Sequence, residues 1–156
     1  MIVSSQQILI AMSLMHASLT NRDFGFTVKD QQDHSLFIDI PVDQGGGGNG
    51  FRPMQTVLAA LCGCSGVDIV SILKKQRQSF DTLELKVDAE REKDKEPALW
   101  ASVTVHFLLT GSVDPLKAYR AAELSMNKYC SVAETLRRAG ATIQFDVTVN
   151  GQLVTI

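Results

Sequence analysis

The chain has 156 residues, 45% of them apolar and 21% charged, with a formal net charge of −2. That length suits one domain spanning residues 1–156 with a real hydrophobic core, and the charge balance offers no basic surface for tracking nucleic acid. Three cysteines, at positions 62, 64 and 130, are an odd set. They do not read as the disulfide framework of a small secreted domain and fit a reducing cytoplasm better.

The first apolar run, "QQILIAMSLMHASL", has no Lys or Arg before it, since the first cation is Arg22. It is interrupted by Ser13 and His16 and is too short to cross a bilayer. It reads as a buried strand over residues 8–15, and no membrane association is expected. Alternation through Phe24, Phe26 and Val28, and then through Leu36, Ile38 and Ile40, predicts two more strands. Between Pro41 and Pro53 comes "PVDQGGGGNGFRP", whose run of glycines predicts a flexible connection and a candidate lid. It is not a phosphate-cradling loop, because no Gly-Lys-Ser/Thr follows.

Pro53 suits the first turn of a helix, which should run to about Gln78. A hairpin follows, with Leu83, Leu85, Val87 and Ala89 on one face of its first strand and Ala101, Val103, Val105, Phe107 and Leu109 on one face of its second. Its tip, "EREKDKEP", reads as a solvated turn. Asp114 and Pro115 predict the N-cap and first residue of a second helix, reaching about Lys128. Ser131 with Glu134 has the capping-box spacing and predicts a fresh helix start there, with Arg137 and Arg138 favourably placed at its C-terminus. The last strand alternates through Ile143, Phe145, Val147 and Val149. The order is strands, helix, hairpin, two helices, strand: an α+β fold with an antiparallel sheet.

Successive helix residues turn by about 100°, so Cys62 and Cys64 are about 200° apart and cannot share a disulfide or a metal while the helix is intact. Cys62 aligns with Leu58, Ile69 and Leu73 and reads as core packing. Cys64 aligns with Val57, Leu61 and Asp68, and Gly63 and Gly66 leave room beside its sulfur. Cys130 sits just before the expected N-cap Ser131, where the helix dipole would stabilise a thiolate. A two-thiol redox site follows only if Cys64 and Cys130 are close in space. His16, His34 and His106 lack the spacing of metal ligands, and no nucleophile elbow suggests a hydrolase.

The stretches "GGGGNGFRPMQTVLAALCGCSGVDIVSILKKQR" and "ELSMNKYCSV" resemble the OsmC family of osmotically inducible and organic-hydroperoxide-resistance proteins, most closely its YhfA-type branch. The resemblance implies antiparallel sheets packed around a central helix in an intertwined homodimer. It further implies a thiol peroxidase needing no metal or other cofactor. Carried over, Cys64 is the peroxidatic thiolate, Cys130 the resolving thiol, and a dithiol reductant restores both. An activating arginine is expected at Arg22, with Arg52 as its rival. Where the peroxidase branches carry a glutamate, this chain has Met54, which cannot hold an arginine by charge. Asp68, if ionised and close, would push the Cys64 thiol upward. A catalytically weak binding or redox-sensing protein of the same fold is therefore the alternative.

Overall fold

A computed structural model describes residues 14–156. The strand expected over residues 8–15 thus lies outside the described residues, apart from its last two positions. The chain divides into two compact units, one ending at Thr56 and one over Val57–Ile156.

The first unit is an antiparallel sheet in the order β1 (Met15–Leu19), β2 (Phe26–Asp30), β3 (Ser35–Ile38). The β2–β3 turn is closed by the Asp30 carboxylate, which accepts the N–H groups of Gln32 at 2.8 Å and His34 at 2.9 Å. Such side-chain closure is why aspartate favours turns. The glycine-rich segment does not behave as the loose connection its composition suggests. It wraps around Asp39, which is only 3% exposed. The Asp39 carboxylate accepts the N–H groups of Ile40 at 2.8 Å, Gly47 at 3.1 Å and Asn49 at 3.2 Å. A Cβ on Gly46 would stand 2.1 Å from the Ile40 carbonyl oxygen, and Gly48 takes φ +66°. Glycine is required here for close approach and for left-handed backbone, and the buried carboxylate supplies the order.

The second unit takes most of α1 (Pro53–Lys75), then the hairpin β4 (Thr82–Arg91) and β5 (Trp100–Thr110). Next come α2 (Pro115–Leu124), a π-helical turn (Ser125–Tyr129), α3 (Ser131–Arg138), β6 (Thr142–Val149) and the short β7 (Gln152–Leu153). The hairpins are antiparallel as expected, but β6 lies parallel to β5, so the sheet β4-β5-β6-β7 is mixed. The cause is the pair of helices between β5 and β6, long enough to return the chain to the starting end of the sheet. Of the residues predicted on one face of β5, Val103, Val105, Phe107 and Leu109 are buried, together with Val147 and Val149 of β6, and Ala101 is partly buried.

Against these strands α1 buries Leu61, Ser65, Ile69 and Leu73. Ser65 is accommodated because its hydroxyl donates to the Leu61 carbonyl at 2.7 Å, leaving no unpaired donor in the core. By length and composition α1 is apolar enough to pass for a membrane span, with a mean hydropathy of 1.9 in its most apolar stretch, of which 22% is buried. Val67, on the face opposite the core stripe, is 70% exposed.

Candidate functional site

Two departures from regular helix position the thiols. After α2 the chain widens into the π turn, closed by the N–H of Cys130 donating to the Ser125 carbonyl at 2.8 Å. Single π turns inside helices recur at functional sites. Cys130 then leaves helical geometry, at φ −69° and ψ 101°, and becomes the N-cap of α3. The capping box expected from Ser131 and Glu134 is not formed. The Cys130 sulfur accepts the Ala133 N–H at 3.4 Å in the capping role. Glu134 instead takes Arg137 at 2.9 Å and Arg138 at 2.8 Å. The break falls at Cys130, as the sequence indicates, and the N-cap is Cys130 itself, one residue before the expected Ser131.

This arrangement brings Cys64 of α1 to Cys130. The two sulfurs and a carboxylate oxygen of Asp68 lie within 4.8 Å of one another. Cys64 Sγ is also 3.9 Å from the Ser131 hydroxyl. Burial opposes ionisation of Cys64. The Val132 N–H, the Cys130 thiol, and the hydroxyl and N–H of Ser131 outweigh it and set the Cys64 pKa below the ordinary 9.0. For Cys130, 3% exposed, burial dominates and pushes the thiol up to about 11; the Ala133 N–H opposes this, and the hydrogen bond to Cys64 and its charge add to it. The start of α3 thus donates to both sulfurs; the balance lowers the pKa of Cys64, while burial raises that of Cys130, the thiol that sequence position alone would favour. Asp68 is close to Cys64, as its place one turn along α1 implied, and the Cys64 pKa nonetheless lies below the ordinary value. Its carboxylate accepts the buried Ser125 hydroxyl at 2.9 Å.

Cys62 is not in the core stripe. It is half-buried at the margin, where it lines an open recess of about 590 Å³ with Gly66, Val67, Val70, Lys74 and Leu83. Burial raises its pKa. Arg22 is exposed in the loop between β1 and β2, and Arg52 is exposed just before α1; both belong to the first unit. Gln55 accepts the Arg52 N–H at 3.1 Å and so caps the start of α1, while Met54 is half-buried beside it. Among the described residues, Cys64, Asp68 and Cys130 are the donors that could converge on a metal ion, a set that sequence spacing did not single out. His106 stands apart from it, bridging Asp146 at 2.7 Å and Asp88 at 3.1 Å across β6 and β4.

The α+β fold thus holds one thiol with a lowered pKa beside a buried one at a helix start. The family model for OsmC-like proteins matches residues 45–146, and the chain belongs to that family. It is similar to the protein YhfA of Escherichia coli strain K12, with 41% identity over 101 residues, covering 64% of this chain and 75% of YhfA. Among solved structures it is similar in fold to an OsmC-like protein from Mycoplasma pneumoniae, with a TM-score of 0.72 and 17% identity, covering 86% of this chain and 94% of that one. An organic hydroperoxide resistance protein from Legionella pneumophila gives a TM-score of 0.66 at 18% identity, covering 86% and 95%.

Proposed function

We propose that this protein is a two-cysteine redox protein that reduces organic hydroperoxides in oxidative-stress defence. The observation that carries this reading is the pair of thiols held within 4.8 Å with ionisation tendencies driven in opposite directions. A depressed pKa makes Cys64 the nucleophile. Its thiolate attacks the O–O bond, taking one oxygen as a sulfenic acid and releasing the alcohol. The Cys130 sulfur then attacks the Cys64 sulfur and expels water, leaving a disulfide. A dithiol reductant takes up the disulfide by exchange and closes the cycle. Arg22 is the proposed activating cation, and the cytoplasm the proposed location.

The working form in this reading is a homodimer. Exposed Val67, the glycines 63 and 66, and the apolar recess beside Cys62 give α1 a face that a second copy would cover, the glycines permitting close approach. The second reading, a redox sensor or binding protein that turns over slowly, is favoured by Met54, which supplies no charge to hold an arginine.

Stopped-flow oxidation of the reduced protein by an organic hydroperoxide and by hydrogen peroxide separates the two. Oxidation that is faster with the organic peroxide, ends in a Cys64–Cys130 disulfide and is lost in Cys64→Ser is expected. Oxidation no faster than that of a free small thiol would sink the peroxidase reading and leave the sensor.

A further inference from the structure

We propose that Asp68 is the proton acceptor for Cys130 when the disulfide forms, aimed by Ser125. This deepens the two-cysteine reading and rests on it for the physiological oxidant. The argument begins from a chemical need. Cys130 is buried and held as a thiol, so it cannot attack the oxidised Cys64 until a base removes its proton. Once Cys64 is a sulfenic acid, its sulfur is no longer an anion able to hold that proton. Asp68 is the carboxylate in reach, with an oxygen within 4.8 Å of both sulfurs.

Its orientation is built. Ser125 is fully buried, donates its hydroxyl to Asp68 Oδ2 at 2.9 Å, and accepts the Cys130 N–H on its carbonyl at 2.8 Å. One residue thus fixes both the base and the thiol it serves. Within the second unit no Lys, Arg or His pairs with Asp68; the ionisable groups at this cluster are its own carboxylate on α1, Cys64 on α1 and Cys130 at the start of α3. The balance closes. The Cys130 S–H bond breaks and its electron pair forms the S–S bond. The Cys64 S–O bond breaks, and the proton held by Asp68 passes to the departing hydroxide, giving water. The peroxide supplied the oxidising equivalent, and Asp68 ends as it began.

The test isolates the base from the peroxide. In a Cys62→Ser background, an aromatic disulfide such as Ellman's reagent reacts first at Cys64. Cys130 then attacks that mixed disulfide and releases a second coloured thiolate, which needs no proton to leave. Asp68→Asn is expected to slow the second release about a hundredfold at neutral pH, within the range of a positioned general base, while changing the first less than about threefold. The deficit should shrink as pH rises and hydroxide takes over. Ser125→Ala, which keeps the carboxylate but frees it, should give an intermediate loss and serves where Asp68→Asn does not fold. A second release at the unmodified rate, with an unmodified pH profile, in the folded variant would overturn the proposal. A normal second release in a protein that peroxides oxidise no faster than a free thiol would defeat the peroxidase reading alone.

Discussion

The glycine-rich loop and the thiol cluster solve the same problem with opposite results. In the first unit the Asp39 carboxylate is sealed in and saturated by three backbone N–H groups. In the second, the Cys64 sulfur is met by N–H groups and a hydroxyl from the start of α3 but keeps an open side between glycines. Backbone donors converge on an acceptor in both places. Enclosure turns the first into a structural staple, and access turns the second into a nucleophile.

The largest effect should come from breaking the enclosed anion. Asp39→Ala strips the partner from three inward-facing donors, each unmet buried donor costing about 1–3 kcal/mol. A loss of roughly 3 kcal/mol in denaturant unfolding, with protease sensitivity appearing around Gly47, is expected. An unchanged midpoint would show that the loop orders itself without the carboxylate.

Breaking the open anion should change reactivity and leave stability almost untouched. Because the Cys64 pKa lies below 9.0, its alkylation rate should stay high as pH falls beneath the titration range of an ordinary thiol. Ser131→Ala should move the midpoint of that profile back toward 9.0, by less than about one pH unit since a 3.9 Å contact to sulfur is weak. A profile identical to that of the unmodified protein would remove the hydroxyl from the account.

The smallest effect belongs to an ion cluster that is neither enclosed nor reactive. Burial lowers the His106 pKa, but hydrogen bonds and charge from Asp146 and Asp88 raise it above 6.5 overall. The sign follows from linkage. A raised folded pKa gives stability that is fully present below about 6.5 and lost as pH rises through the folded value. Asp146→Asn should flatten that part of the stability curve by well under about 1 kcal/mol, since such exposed pairs contribute little. A larger change would mean that the bridge across β4, β5 and β6 is better shielded than its exposure indicates.

Much of the molecule was written in local pattern. Strand alternation picked out Val103, Val105, Phe107 and Leu109, and Asp114 with Pro115 marked the start of α2; Asp114 does cap it, accepting the Lys117 N–H at 3.0 Å. Such features depend on neighbours a few residues away, so the sequence carries them. The motifs around Cys64 and Cys130 carried the family as well. What lay beyond reach were features that depend on partners distant in the chain. The parallel pairing of β5 with β6 follows from how two helices return the chain. The order of the glycine run follows from Asp39, whose side chain the composition of the loop does not include.

The chemistry divides in the same way. Residue identity alone supplied two thiols, a carboxylate one turn from the first, and a helix start at the second. Which sulfur ionises was decided only by tertiary structure, because an anion is stabilised by the donors that point at it and not by its own place in the chain. The N–H groups at the start of α3 reach both sulfurs, and burial holds the proton on Cys130.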